Sequence, residues 1–148
     1  MKNQSDKYML PEELRLACRK GKFASQTSGH APGFAQANIC ILPMEYAFDF
    51  LLFCQRNPKP CPLLHVVEAG SHIIPQDSSN DVDMRTDVPK YRIYRDGTLI
   101  EEVTDISSYW RNDFVTFVIG CSFSFEDALI NAGLSVSSHF AVFREILL

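Results

Sequence analysis

The sequence predicts an α/β fold: a mixed-sheet main domain with a small α+β subdomain, built round a β-hairpin, inserted into it. Three observations predict it. Helical and strand-like patterns alternate along the chain. A rigid connector with three prolines, Asn57-Pro-Lys-Pro-Cys-Pro62, interrupts that alternation. A hairpin signature, Asp96-Gly97 between two strand-like runs, follows the connector. These features put residues 1–60 and 108–148 in the main domain and 61–107 in the insert.

The elements follow in order. Residues 1–9 read as a polar lead-in. Pro11 to Lys20 is a helix: Pro11 suits its first position, Glu12 and Glu13 its positive end, Arg19 and Lys20 its negative end, and Gly21 closes it. Gly29, Pro32 and Gly33 mark the stretch 27–38 as a loop. Ile39–Leu42 is a short buried strand. Pro43 opens a helix that runs to about Asn57, where Pro58 ends it. That helix is apolar almost all round, which predicts a place at the centre of the core.

Beyond the connector, Leu63–Glu68 reads as a strand and Gly70 to Asn80 as an irregular loop. Lys90–Arg95 and Thr98–Val103 flank the Asp96-Gly97 turn, whose type I′ geometry needs residues that accept positive φ. Ile106–Arg111 is a short helix or turn. Phe114–Asp127 then reads as a buried strand, a small-residue turn at Gly120-Cys121-Ser122 and a helix start capped by Ser124. The following helix, Phe125–Ala132, is closed by Gly133.

Composition narrows the function classes. The chain has 148 residues, 46% hydrophobic and 22% charged, with a net charge of −4. An acidic balance gives no electrostatic support for nucleic-acid binding or for a membrane surface. No stretch reaches the length of a membrane span. The five cysteines are odd in number and include no C-x-x-C pair. They predict a reducing, intracellular compartment, cytoplasmic by default with the mitochondrial matrix left open.

Four groups of residues carry candidate chemistry. The strand-to-helix turn at Cys121, Ser122 and Ser124 would present backbone N–H groups and a positive dipole end to a carboxylate. A packed strand–turn–helix without a ligand is the other reading. The loop residues Thr27, Gly29, Gly33, Gln36 and Asn38 have the composition of a cradle for a small polar ligand. The same composition suits a surface loop that only turns the chain. Arg85, between Asp83 and Asp87, is either a substrate clamp or a local ion pair. Asp83, Asp87 or Glu126 would move protons if its pKa were raised. Cys121 is a candidate thiolate or a structural thiol. Cys54, Cys61 and His65 match no common zinc spacing.

Four blocks then acquire a joint meaning: Gln26–Asn38, Phe53–Pro62, Asp83–Tyr91 and Phe117–Glu126. In this order they resemble the family of hydro-lyases that includes D-glutamate cyclase, over roughly residues 8–135. The resemblance implies an α/β main domain with an inserted α+β domain. It implies lyase chemistry: loss of water from a small amino or carboxylic acid, with D-glutamate to 5-oxo-D-proline as the leading example. It implies no metal or organic cofactor. In these roles Cys121, Ser122, Asp83 and Glu126 would be catalytic, while Thr27, Gly29, Gly33, Gln36, Asn38, Arg85 and Ser124 would bind the substrate carboxylate.

One departure matters. The last dozen residues, ending Arg-Glu-Ile-Leu-Leu148, do not resemble the family. The expectation is therefore a truncated chain holding part of an active site, or a non-catalytic ligand-binding or interaction fragment of the same fold. The apolar tail would stand in for missing packing or leave a patch that favours a homo-oligomer.

Overall fold

The computed structural model describes residues 9–74, 82–122, 129, 132–134 and 145–147. Among the described residues two helices, α1 (Pro11–Arg19) and α2 (Met44–Arg56), accompany eight strands. These are β1 (Ala37–Pro43), β2 (Leu63–Val67), β3 (Ile73–Ile74), β4 (Val82–Asp83), β5 (Tyr91–Arg95), β6 (Thr98–Val103), β7 (Phe114–Gly120) and β8 (Glu145–Leu147). The fold is α/β with a mixed sheet, as the sequence predicts. The helix expected over Phe125–Ala132 lies largely outside the described residues.

Six strands form one sheet in the order β2-β7-β1-β8-β5-β6, and β3 pairs with β4 in a second, two-stranded sheet. β7 is antiparallel to β1 along its whole length, from Ala37 opposite Gly120 to Pro43 opposite Phe114. β8 is parallel to both β1 and β5, so the tail joins the hairpin to the rest of the sheet. The segment 61–107 thus divides its strands between the two sheets: β2, β5 and β6 extend the large one, and β3 and β4 make the small one.

Local sequence explains the element ends. Gly21, at φ +64°, lets α1 finish in a Schellman turn. The Lys22 N–H donates to Ala17 O and the Gly21 N–H to Cys18 O, both at 2.8 Å. At the other end Glu13 accepts from the Leu10 N–H at 2.9 Å. The hairpin turns at Asp96 and Gly97, both at positive φ, as the dipeptide requires.

Two clusters pack on the large sheet. Ile39, Ile41, Met84, Tyr91, Ile93 and Phe114 belong to one, and the Tyr91 hydroxyl donates to Met84 O within it at 2.8 Å. Leu42, Val115 and Phe117 belong to the other, beneath Ala47 and Phe50 of α2. Here one expectation needs correction. Only Cys54 of α2 is buried, while Met44, Tyr46, Phe48 and Phe53 are each at least half exposed. The sheet covers one sector of the helix, so α2 lies at the edge of this chain's core. No helix among the described residues is long and apolar enough to cross a membrane.

Candidate functional site

A cavity of about 360 Å³ opens between α1, the loop before β1 and the segment after β4. Helix α1 presents Pro11, Leu14, Arg15 and Cys18 to it. That i, i+3, i+4, i+7 spacing is one helical face. Thr27, Ala31, Phe34 and Gln36 come from the loop, Val82, Met84, Asp87 and Val88 from the opposite wall, and Ile39 and Val118 from the sheet. Three of the four blocks singled out in the sequence therefore meet here; Phe53–Pro62 contributes no lining residue.

The lining is mainly apolar, and its charged groups are few. The Asp87 side chain is fully covered and is held by four donors: Arg19 Nε at 2.7 Å, Arg19 Nη2 at 2.6 Å, the Asp83 N–H at 3.0 Å and Thr86 Oγ1 at 3.1 Å. Arg19 thus neutralises Asp87 from outside. Arg15 faces the cavity with no ion-pair partner among the described residues. The site keeps one uncompensated positive charge beside apolar walls, an arrangement suited to a small anion with an aliphatic body.

The loop is fixed by its own side chains. Thr27 Oγ1 donates to Gln36 Oε1 at 2.7 Å, and Gln36 Nε2 donates to His30 O at 3.0 Å. Gly29 and Gly33 take φ of +76° and +82°, and a Cβ at either would meet nothing within 4 Å. Their glycine character serves the turn. Ala31 is held at φ +48° and is buried, a strained position for a residue with a Cβ.

Other predicted residues lie elsewhere. Asn38 follows Ala37 on β1, so strand alternation puts it on the face opposite Ile39 and the cavity. Its Oδ1 is buried without a hydrogen-bond partner among the described residues. Arg85 is engaged by Asp83 at both Nε (3.0 Å) and Nη2 (2.8 Å), and its N–H also donates to Asp83 Oδ1 at 2.9 Å. Burial alone would raise the Asp83 pKa. The hydrogen bonds and charge of Arg85, with a smaller contribution from His72, outweigh it and hold the carboxyl below its ordinary range.

At the end of β7 the Gly120 N–H donates to Pro62 O at 2.9 Å and the Cys121 N–H to Gln36 O at 3.4 Å. The Cys121 backbone donor, expected to face a ligand, is thus engaged within the chain. Cys121 still adjoins the cavity through Gln36. Ser122 is exposed in a turn, and Ser124 and Glu126 lie outside the described residues. Among the described residues no three His, Cys, Asp or Glu side chains gather to hold a metal ion.

Sequence reasoning passed over Arg15. A signal was present: Pro11, Leu14, Arg15 and Cys18 share a helical face that is otherwise apolar.

No family model matches the chain. Curated relatives do. The protein named "Putative hydro-lyase YcsI" from Bacillus subtilis (strain 168) is 59% identical over 128 residues, 86% of this chain and 49% of that protein. A relative of the same designation from Afipia carboxidovorans is 58% identical over 124 residues, 84% of this chain and 45% of its own. Over most of its length the chain is similar to part of these proteins, which are named as hydro-lyases. A further relative, from Corynebacterium urealyticum, is 53% identical over 132 residues, 87% of this chain and 48% of that one. The chain spans about half the length of the curated relatives it matches.

Proposed function

We propose that this chain forms the part of a hydro-lyase that receives a small carboxylic acid, with the carboxylate on Arg15 and the aliphatic body in the cavity. The observation that carries this reading is the Arg15 guanidinium, without an ion-pair partner among the described residues, in a mainly apolar lining. The reaction is loss of water from the bound acid, and D-glutamate to 5-oxo-D-proline is the leading example. There the amine nitrogen bonds to the side-chain carboxyl carbon, the ammonium gives up two protons in all, and one carboxylate oxygen leaves with them as water.

That reaction needs a fixed carboxylate, a neutral amine beside the reacting carbon and a stabilised oxyanion. Arg15 supplies the first, with Thr27 and Gln36 shaping the polar side and Gly29 and Gly33 setting the loop. Cys121 and Ser122 sit at the adjoining end of β7 and would serve the oxyanion with Ser124. Asp83, whose carboxyl Arg85 holds below its ordinary range, suits an anchor for Arg85 and not a group that moves protons. Glu126 would then be the acid. The five free thiols support a reducing, intracellular setting.

A second reading, a ligand-binding module without turnover, draws on the chain's half length relative to its family. One experiment separates the two. Purified chain is incubated with D-glutamate and 5-oxoproline is followed, alongside thermal shift of the chain and of Arg15→Ala. Turnover supports the enzyme. A shift with D-glutamate that vanishes in Arg15→Ala, without turnover, supports the binding module. Equal shifts in both proteins would remove Arg15 from the site.

A further inference from the structure

The loop before β1 contains two consecutive four-residue turns. In the first the His30 N–H donates to Thr27 O at 3.0 Å, and in the second the Phe34 N–H donates to Ala31 O at 3.2 Å. Each has glycine at its third position, Gly29 at φ +76° and Gly33 at φ +82°. That is where a type II turn needs positive φ, and Pro32 at the second position of the second turn completes the pattern. The turns account for both glycines but not for Ala31, which opens the second turn at φ +48°. Among the described residues only Asp96 shares a positive φ without being glycine, and it is exposed in the hairpin turn. Aspartate has a short polar side chain that eases such a backbone; alanine has none. The proline that follows Ala31 restricts its backbone further.

The surroundings separate Ala31 from its glycine neighbours. At Gly29 and Gly33 a Cβ would meet nothing within 4 Å. Ala31 is buried, and it lines the α1 cavity together with Leu14, Cys18, Phe34 and Met84. Glycine would take this φ without strain; what it would not supply is the methyl group. The backbone that carries the methyl is fixed from both sides. Gln36 holds the residue before it, donating to His30 O at 3.0 Å while accepting from Thr27 Oγ1 at 2.7 Å. The Phe34 N–H holds Ala31 O itself. Strained residues persist where their surroundings over-determine them, and they gather at ligand sites.

We propose that the Ala31 methyl is a specificity determinant of the α1 cavity: it is a fixed piece of wall that limits the length of the aliphatic body of the bound acid. The proposal rests on the reading of Arg15 as the carboxylate anchor. With the carboxylate held at one point, each carbon of the body must fit between that point and the wall, so one carbon removed from the wall admits one more in the acid.

The test uses the full chain and the straight-chain monocarboxylates from butyrate to octanoate, with affinities from titration calorimetry. The parent should bind more tightly by about fourfold per added carbon up to a limiting length, and more weakly beyond it. Ala31→Gly should move that limit one carbon longer and weaken the acid that the parent prefers by about fourfold. Ala31→Asn provides the opposite change: asparagine accepts positive φ and adds bulk, so its limit should lie at a shorter acid. Thermal melting of each variant shows that it folds. A purely packing role for the methyl would shift melting and leave the limiting length where it is in the parent. An unchanged limit in Ala31→Gly and Ala31→Asn, with binding still lost in Arg15→Ala, would overturn this proposal and leave the carboxylate anchor standing. Equal binding by Arg15→Ala and the parent, or no binding of any acid to the parent, would overturn the anchor and this proposal with it.

Discussion

Arg19 and Asp87, 68 residues apart in sequence, join the end of α1 to the segment after β4 through a two-pronged ion pair. Solvent reaches 43% of the Arg19 side chain and none of Asp87. The hydrogen bond to Asp87 raises the Arg19 pKa above its ordinary value against the opposing effect of burial, and the charges of Asp87 and Asp83 add to it. The pair holds two walls of the cavity together, so its strength bears on the site as well as on the fold.

Removing the arginine should cost more than a surface ion pair would. Arg19→Ala leaves the covered Asp87 carboxylate with only the Asp83 N–H and the Thr86 hydroxyl as donors. The expected loss is about 2 kcal/mol, at the low end for buried pairs because solvent reaches Arg19. Arg19→Lys should restore only part of it, because an ammonium cannot span both oxygens. Urea unfolding of the three proteins measures this. Full recovery by lysine would show that a point charge suffices.

The Asp83 carboxyl should give the protein an acid-sensitive contribution. Its folded pKa lies below the ordinary 3.8, so ionisation favours the folded state. The contribution is complete above the unfolded value and is lost as pH falls through the lowered folded value. Melting temperature followed from pH 7 down to about pH 2 should therefore fall below about pH 4, and Asp83→Asn should flatten that fall. An Asp83→Asn profile as steep as the parent's would assign the acid limb to other carboxylates.

Much of the fold was legible because its signals are local. Pro11 and Gly21 bracket α1, Pro43 and Pro58 bracket α2, and Asp96-Gly97 turns the hairpin, each through its own backbone preference. The placement of β8 between β1 and β5 was not legible, since three residues carry no pattern that names their neighbours. The site was legible in part. Thr27 and Gln36 do line the cavity, but Asn38 differs from them through the period-two alternation of β1. Arg85 stood out in sequence between two acids, yet one of those acids engages it. Arg15 stood out less, and only the packing of α1 reveals that its face meets a cavity.

The thiols should separate by burial. Cys54 is 2% exposed, and burial raises its pKa, with the neighbouring Cys61 adding to the shift. Cys61 and Cys121 are only partly buried. With an aromatic disulfide reagent at pH 8, Cys54 should label about tenfold or more slowly than Cys61, since the thiolate is the reacting form. Mass spectrometry of the labelled peptides assigns the rates. A Cys54 that reacts as fast as Cys61 would mean that α2 opens readily from the sheet.

Gly70 should tolerate no side chain. Its N–H donates to Phe114 O at 3.0 Å and its carbonyl accepts from Trp110 Nε1 at 3.3 Å, so the turn is tied to the start of β7 and to the segment before it. Its φ is +80°, and a Cβ would lie 2.9 Å from the Asn112 backbone oxygen. Both effects act together in Gly70→Ala: the left-handed backbone is strained for alanine, and the clash is with main chain that cannot rotate aside. The expected destabilisation is about 2 kcal/mol or more. Gly33→Ala is the control, since its φ of +82° carries the same strain but a Cβ there meets nothing within 4 Å. The difference between the two unfolding free energies isolates the contact with Asn112. Equal losses would show that Asn112 moves aside and that backbone strain alone sets the requirement for glycine.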